Sequence, residues 1–327
     1  MTKTVTKAGK GVGRGFKVSE MGNTLSLLIA LIIICVVLSF ASPHFLSVQN
    51  VMNIFLFASI TAIRGAGLTI AMILGGLDIS QNSVGAVTGI LVAMFSLTGA
   101  PWWLLVIMVF ILGIVMGLIN ATIISVFKIN PIITTLGTMQ IFRGIAWLIN
   151  DTTIMIKDPF LIDLGRGRLF GIIPYSAIIA AVVVLIAYYI LKYTSFGRKV
   201  YMVGGNEHAS YLSGIDSRKV KYGAFVISAL TAALAGFLLS CQVGAALPQA
   251  GQGTEMATIS AVILGGISLS GGKGKITGTI LGIIILSTIN NGLTLLSVNA
   301  YYQMVVSGSV LILAVLIDVI RSGVLKK

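Results

Sequence analysis

Long apolar runs separated by short polar connectors make up most of the chain. Runs of about 20 apolar residues are typical of membrane-crossing helices, because a helix of that length spans the hydrocarbon core of a bilayer. The third and eighth runs are short, so eight spanning helices plus re-entrant segments are the alternative to ten. In both cases the pattern predicts an all-α polytopic membrane protein. The ten predicted helices have approximate limits at 24–42, 51–75, 83–99, 102–127, 131–149, 172–192, 222–243, 256–271, 276–297 and 301–320.

Basic residues divide unevenly between the two sides of this topology. With the N-terminus in the cytoplasm, seventeen lysines and arginines fall on the cytoplasmic side. Three fall outside, namely Lys157, Arg166 and Arg168. Cytoplasmic loops of membrane proteins carry an excess of Lys and Arg. The distribution therefore favours about ten transmembrane helices with both termini cytoplasmic.

The composition agrees with one membrane domain. Hydrophobic residues make up 57% of the chain and charged residues 9%, against about 25% charged residues in soluble domains. The net charge of +13 comes from basic residues scattered between apolar runs, so we expect a lipid bilayer around the chain and no nucleic-acid partner. We expect a basic cytoplasmic segment at 1–23, a single transmembrane domain at 24–320 with a long cytoplasmic loop at 193–221, and a cytoplasmic tail at 321–327.

The sequence lacks a motif for catalysis, for nucleotide binding or for a metal site. The glycine-rich run GGISLSGGKGK at 265–275 has Ile267 and Gly274 where a phosphate-binding loop needs Gly and Ser or Thr. The two cysteines and two histidines are not grouped as metal ligands. We therefore expect no catalytic residue, no metal and no cofactor bound by this chain, which is not an enzyme. The runs ILGGLDIS (73–80) and ILGGISLS (263–270) share a pattern that suggests an internal repeat.

Uncharged polar side chains lie inside several predicted helices. Amides both donate and accept hydrogen bonds, so they suit a pathway for an uncharged, hydroxyl-rich solute. The alternative is that they join neighbouring helices by hydrogen bonds. Intramembrane charges must face protein or water, and a structural partner such as a backbone carbonyl is expected for Arg143. The pathway candidates are Asn120, Gln140, Asn290, Asn291 and Gln303, and the structural intramembrane charges are Arg64, Asp78 and Arg143.

The stretch GGNEHASYLSGID (204–216), in the long cytoplasmic loop, is the polar exception in an apolar chain. It predicts a short helix, with Asn206 as N-cap and Gly214 in the left-handed position that ends it. The helix is either an interfacial helix on lipid headgroups or a docking site for a cytoplasmic partner, and we favour docking through Ala209 and Leu212 rather than Glu207 and Tyr211. The residues of this candidate docking helix are Asn206, Glu207, His208, Ala209, Tyr211, Leu212 and Gly214.

Three quoted runs carry a resemblance to a known family: TSFGRKVYMVGGNEHASYLSGID (194–216), AVILGGISLSGGKGKITGTILG (261–282) and TLGTMQIFRG (135–144). They resemble the ribose-type permeases, the membrane subunits of bacterial monosaccharide ATP-binding-cassette (ABC) importers. The similarity covers the chain after about residue 24. The sequence departs from the family pattern at QNS (81–83) and at Arg64.

The resemblance implies a transport subunit of the bacterial plasma (inner) membrane that passes a monosaccharide such as ribose without altering it. A nucleoside, a branched-chain amino acid or a furanose signal is the alternative solute, and an ion-driven carrier is a more distant alternative. The implied partners are a second permease subunit in a homo- or heterodimer, a cytoplasmic ABC ATPase that binds ATP and Mg²⁺, and an extracytoplasmic sugar-binding protein. The helix at Glu207 would be the coupling helix that docks on the ATPase.

Overall fold

The structure is a computed structural model that describes residues 12–322, without the side chains of residues 12–23, 300, 307, 314 and 317–322. The first part of the predicted segment 1–23 and the end of the predicted tail 321–327 therefore lie outside the described residues. The helices are α1 Val12–Ala41, α2 Val48–Ile73, α3 Gln81–Leu97, α4 Trp102–Ser125, α5 Pro131–Ile149, α6 Pro159–Arg166, α7 Tyr175–Tyr193, α8 Ser195–Gly205, α9 Glu207–Leu212, α10 Ser217–Val243, α11 Glu255–Leu264, α12 Ile276–Leu295 and α13 Ala300–Ser322.

Four two-residue strands accompany the helices. Strand β1 (Ile154–Met155) pairs antiparallel with β4 (Ala245–Ala246), and β2 (Arg168–Leu169) pairs antiparallel with β3 (Ile173–Pro174). All four lie in connections that the sequence places on the outer side.

Seven of the described helices are long and apolar enough to cross a membrane: α1 from residue 24, α2, α4, α5, α7, α10 and α12. The prediction of an all-α polytopic membrane protein is confirmed at this level. The other three predicted segments correspond to α3 with 17 residues, α11 with 10 residues, and α13. The predicted eighth helix at 256–271 is therefore much shorter than its apolar run, because the glycines after Leu264 leave the helix.

Helix α10 lies at the centre of the fold and has clear end signals. At its start the Asp216 side chain accepts a hydrogen bond from the Lys219 backbone N–H at 3.2 Å. At its end Gly244 adopts a left-handed conformation with φ of 76° and donates to the Ser240 carbonyl at 2.8 Å. These two caps, 28 positions apart, allow one helix to run through the whole membrane region.

Glycines bring three neighbouring helices against α10 at backbone distance. A β-carbon on Gly236 of α10 would lie 2.1 Å from the Gly85 Cα of α3, and one on Gly67 of α2 would lie 2.9 Å from the Ser228 Cα. Gly117 of α4 meets the backbone of α10 in the same way, with Val226 Cα at 2.7 Å. Small residues at such crossings allow membrane helices to pack closely without a hydrophobic driving force.

Helices α2 and α11 end in the same kind of turn, in agreement with the repeat suggested by their shared sequence pattern. Gly75 and Gly266 have φ of 91° and 90°, and the next backbone N–H returns to the last helical turn in both cases. The left-handed glycine is the third residue of the first ILGG run and the fourth of the second, so the two turns are offset by one residue. The turns also lie together, because the Gly272 N–H donates to the Ile73 carbonyl at 2.7 Å.

Helices α3 and α11 both begin about halfway across the membrane region. The Gln81 side chain, at the start of α3, donates to the Arg64 carbonyl at 3.2 Å, nine residues before the end of α2. Ten residues of α11 cover about 15 Å, half of a hydrocarbon core of about 30 Å. The non-helical segments 74–80 and 244–254 precede these two helices.

We predict that Gly236→Ala destabilises the protein in detergent by about 1–3 kcal/mol, because the added methyl overpacks the α3–α10 contact. The measurement is the midpoint temperature of thermal unfolding, with size-exclusion chromatography as the detection method. Gly308→Ala is the matched control, because a β-carbon there meets open space in a helix and the substitution favours helix formation. Equal midpoints for the two variants would contradict the backbone contact.

Candidate functional site

Residues 244–254 form a re-entrant loop that runs from the outer end of α10 down to the start of α11. Its outer end is fixed by β4, which pairs with β1, and by the Ile156 N–H, which donates to the Gly244 carbonyl at 3.0 Å. Three consecutive turns follow, closed by hydrogen bonds of 3.0, 3.0 and 3.1 Å from Ala250, Gln252 and Thr254 to the residue three positions earlier. The loop is therefore compact and ordered by its own backbone.

Arg143 of α5 holds the middle of the re-entrant loop. Its Nη1 donates to the Pro248 carbonyl at 2.5 Å and to the Ala250 carbonyl at 3.0 Å. Its Nη2 lies 4.0 Å from the Glu255 carboxylate at the start of α11. Carbonyls outside helices need partners when water is scarce, and the arginine supplies them. Arg143 thus lies where the sequence placed an intramembrane charge, against backbone carbonyls.

Asn82 holds the lower end of the same loop. Its Nδ2 donates to the Gly251 carbonyl at 2.6 Å and to the Thr254 hydroxyl at 2.9 Å. Gly251 has φ of 72°, and a β-carbon there would lie 3.2 Å from the Asn82 Cγ. Glycine is therefore required at this position both by backbone conformation and by space.

A buried polar network lies beneath the loop. The Asp78 carboxylate accepts from the Ser80 backbone N–H at 3.0 Å and hydroxyl at 2.6 Å, and from the Ser228 hydroxyl at 2.7 Å. Amides of Asn120 and Gln81 donate to these two serines at 2.9 and 3.0 Å. Every donor in this series of hydrogen bonds points toward Asp78, so the carboxylate has its hydrogen-bond partners without a basic side chain.

Arg64 has no comparable set of partners. It is 4% exposed, and its Nε is buried without a hydrogen-bond partner among the described residues. A cavity of about 10 Å³, room for a single water molecule, lies beside this level of α2 and is lined by Leu68, Gln81, Asn82, Asp78 and Glu255 among others. Arg64 and Arg143, both close to the re-entrant loop, therefore each keep one buried side-chain nitrogen without a hydrogen-bond partner among the described residues.

Exposed uncharged polar side chains surround the inner end of the loop. Gln249, Gln252 and Thr254 are exposed on the loop itself, and Gln140 is exposed on α5, three residues before Arg143. Gly137 and Gly144, on the same helix as Gln140, have open space at their β-carbon positions. This surface is polar although it lies within the membrane region.

The structure does not bring the five predicted pathway residues together. Asn120 is fully buried and donates a hydrogen bond to Ser80, and Gln303 donates to the Thr294 hydroxyl at 3.3 Å. Asn291 forms a reciprocal amide pair with Asn50, with both distances 2.9 Å. Asn290 is partly buried, and its side-chain oxygen, like that of Asn120, has no hydrogen-bond partner among the described residues. Gln140 is the predicted residue that lies one turn of α5 before Arg143, the side chain that binds the re-entrant loop.

The sequence pattern did not identify four functional candidates. They are Gln249, Gln252 and Thr254 of the loop, and Glu255 at the start of α11. In the sequence they stand between two apolar runs, as the residues of an ordinary outer connector do. Only the fold indicates that they lie within the membrane region. The available signal was the shortness of the apolar run at 256–271, which left too few helical residues for a full crossing.

The cytoplasmic loop contains two helices, α8 and α9, of which only α9 was predicted. Asn206 caps α9 by accepting from the Ala209 N–H at 2.9 Å, and Gly214 is left-handed with φ of 76°. Glu207 pairs with Lys221 of α10 at 2.6 Å. Tyr211 and Leu212 are 70% and 73% exposed, so both alternative faces of this helix present a large apolar group to the surroundings.

Charge and hydrogen bonding fix α9 to the start of α10. Asp216 lies one turn beyond α9. The pKa of its carboxylate is lowered mainly by the hydrogen bond from the backbone N–H of Lys219, and the charge of Lys219 lowers it further. Asp216 is therefore ionised at neutral pH and stabilises the N-terminus of α10.

Helix α8 joins this cytoplasmic loop to the membrane region without flexible chain. A β-carbon on Gly204 would lie 1.9 Å from the Ile73 carbonyl and 2.9 Å from the Gly272 nitrogen. The Tyr201 hydroxyl donates to the Gly274 carbonyl at 2.8 Å. The end of α8 therefore lies directly against the ends of α2 and α11, the same two helices that reach the re-entrant loop.

Comparison with known proteins supplies the family. Residues 50–315 match the family described as "Branched-chain amino acid transport system / permease component". The ribose import permease protein of Haemophilus influenzae is 38% identical over 89% of this chain and 91% of its own length. The D-allose transport system permease protein of Escherichia coli is 36% identical over 88% of each chain, and the L-arabinose transport system permease protein of that organism is 33% identical over 96% of each.

No solved structure matches the chain. The match to the family covers most of the sequence, and the relatives align from end to end with more than 30% identity. The chain therefore belongs to this family, and within it to the ribose-type permeases: it is a multi-pass bacterial inner-membrane subunit of an ABC importer, and it transports without being an enzyme.

Proposed function

We propose that this permease moves a monosaccharide across the inner membrane, driven by an ATPase that docks on α9. The observation that carries the proposal is the α8–α9 segment, an exposed capped helix that rests on the ends of α2 and α11. Sugar as the solute is supported by three relatives whose names specify ribose, D-allose and L-arabinose.

The partners follow from this role. A cytoplasmic ATPase binds ATP and Mg²⁺, an extracytoplasmic binding protein delivers the sugar, and a second permease subunit completes the pathway as a homo- or heterodimer. This chain itself binds no cofactor and no metal, and it forms one transmembrane domain at 24–320 with the coupling loop at 193–221. The docking surface consists of Asn206, Glu207, His208, Ala209, Tyr211, Leu212 and Gly214, with Tyr211 and Leu212 as the apolar contacts.

The proposed topology has ten crossings and cytoplasmic termini. Eight crossings are continuous helices, with α13 added to the seven long apolar ones. The other two are composite: in each, a non-helical segment precedes a shorter helix, α3 of about 25 Å or α11 of about 15 Å. Both interpretations of the apolar pattern, ten helices and eight helices with re-entrant segments, thereby describe parts of one arrangement.

Energy would pass from the ATPase by direct contact. Closure of the ATPase displaces α9, and the Glu207–Lys221 pair and the backbone contact at Gly204 transmit the displacement to α10, α2 and the turn after α11. Helices α2 and α11 carry Arg64 and Glu255 beside the re-entrant loop. A movement at the cytoplasmic face therefore reaches the middle of the membrane through packed backbone rather than through a flexible linker.

We predict ATP-dependent uptake of D-ribose, D-allose or L-arabinose in proteoliposomes that contain this permease, its ATPase and its binding protein. Omission of either partner or of ATP should reduce uptake to the background level. Uptake of L-leucine under the same conditions is the comparison that tests the solute class. Uptake by this chain alone, driven by an ion gradient, would contradict the importer assignment.

We predict that Leu212→Asp reduces the amount of co-purified ATPase at least tenfold, because a buried apolar contact at the centre of an interface is replaced by a charge. Glu207→Gln is the matched control on the same helix. It removes an exposed ion pair worth about 1 kcal/mol or less and should leave most of the ATPase bound. Equal recovery of ATPase with Leu212→Asp and with the unmodified chain would show that α9 docks elsewhere or not at all.

The topology predicts opposite accessibility for two exposed lysine positions. In intact cells, with Cys35 replaced by alanine, a membrane-impermeant thiol reagent should label Lys157→Cys and should leave Lys199→Cys unlabelled. After permeabilisation both should react, because both positions are exposed on the protein. Labelling of Lys199→Cys in intact cells would place the α8–α9 segment outside and remove the docking proposal.

A further inference from the structure

We propose that the re-entrant loop 244–254 and Gln140 of α5 form a solute-binding constriction halfway across the membrane, built for an uncharged polyhydroxyl molecule. The proposal rests on the proposed function and specifies where the solute is contacted and which of its chemical groups are recognised. Its groups are the exposed side chains of Gln140, Gln249, Gln252 and Thr254.

Three observations set the depth of this surface within the membrane region. Asn82, which bonds Gly251 and Thr254, lies one turn before Gly85, and Gly85 is in contact with Gly236 of α10. Gly236 lies seven positions, about 10 Å, below the last residue of α10, and the turn from Gly85 to Asn82 adds about 5 Å, so the loop reaches about 15 Å below the outer end of that helix. The bond from Gln81 to the Arg64 carbonyl and the ten-residue length of α11 give the same depth from the inner side.

Exposure at that depth is informative because lipid cannot satisfy an amide. A primary amide carries two donors and an acceptor, and an unbonded polar group in hydrocarbon costs several kcal/mol. Three exposed glutamine amides at this depth would be unstable against lipid tails, whereas the Thr254 hydroxyl already donates to the Gly251 carbonyl and accepts from Asn82. Their exposed groups must therefore face water, solute or the second subunit across a hydrated pathway.

The loop is held rigidly in place from behind. Arg143 binds two of its carbonyls, Asn82 binds a third together with the Thr254 hydroxyl, and both side chains are buried. A backbone fixed by buried donors keeps the side chains of Gln249 and Gln252 on the opposite, open side. Such a preorganised backbone reduces the cost of ordering the site when solute arrives.

The charge distribution selects the solute class. The charged side chains around the inner part of the loop are two cations, Arg64 and Arg143, and two anions, Asp78 and Glu255, and each is buried or nearly so. The exposed groups in that inner part are all neutral, and the exposed Arg166 lies at the outer end of the loop, against Gly244. An amino acid has an ammonium and a carboxylate, and each needs an accessible opposite charge when it leaves water. Amides instead match the hydroxyl groups of a sugar, because both kinds of group donate and accept hydrogen bonds.

Water access to the site is tested by cysteine labelling in proteoliposomes, in a chain with Cys35 replaced by alanine. We expect a charged thiosulfonate to modify Gln252→Cys and Gln140→Cys, since the reactive thiolate forms in water and not in lipid. Val182→Cys is the matched control, because Val182 is 50% exposed near the middle of α7 and has no exposed polar neighbours. If Gln252→Cys reacts no faster than Val182→Cys, the proposal is wrong.

Contact with the solute is tested in the complete transporter with D-ribose, D-allose and L-arabinose as probes. We expect Gln140→Ala combined with Gln252→Ala to lower the maximal uptake rate at least tenfold, while the unfolding midpoint and ATPase co-purification stay unchanged. Normal uptake by the double variant would overturn the proposal even if both cysteines are labelled.

The two tests separate this proposal from the function on which it rests. If the unmodified transporter takes up a sugar but Gln252→Cys is unreactive, the loop assignment fails and the importer function stands. If the unmodified transporter takes up L-leucine and none of the three sugars, the solute class of both proposals fails, whatever the labelling shows.

Discussion

The demand that every backbone carbonyl in the membrane region has a donor is the constraint on which the rest of this structure depends. In the proposed topology, the segments 74–80 and 244–254 bring carbonyls without helical partners into the membrane region. Arg143 and Asn82 donate to carbonyls of 244–254, and the Thr135 hydroxyl donates to the Leu77 carbonyl of 74–80. Their side chains come from α5 and α3, so the position of the loop depends on how these helices pack on α10 through glycines.

The same interruption links the middle of the membrane to its cytoplasmic face. Helix α2 ends at Ile73, whose carbonyl accepts from Gly272 after α11 and lies against Gly204 of α8. Three chain segments therefore share one contact between backbone atoms, and two of the three contribute a glycine, which has no side chain that could adapt to a shift. A rigid contact of this kind transmits displacement, whereas a contact between long side chains would absorb it. Continuous helices α2 and α11 then connect this contact to the level of Arg64 and Glu255.

The sequence was sufficient for features that depend on a few neighbouring residues. Asn206 and Gly214 bound α9 because capping is a local property, and the apolar runs locate the long helices because burial in lipid is read residue by residue. The re-entrant loop could not be recognised in this way. The position of Gln249 and Gln252 within the membrane region is set by contacts of the loop with Asn82 and Arg143, which are more than 100 positions away. Helix α8 forms in a polar stretch where its glycines pack against α2 and the turn after α11.

Separation of charged from neutral polar groups explains how one site can be both firmly built and permissive to a passing solute. Charged groups make strong, directional bonds and suit the fixed part of the site, as Arg143 does behind the loop. A solute held by such bonds would be released slowly. Amides form weaker bonds that water readily replaces, so in the proposed site Gln140 and Gln252 would bind hydroxyl groups without holding them for long. A transport pathway needs this balance, because a solute must leave the site as readily as it enters.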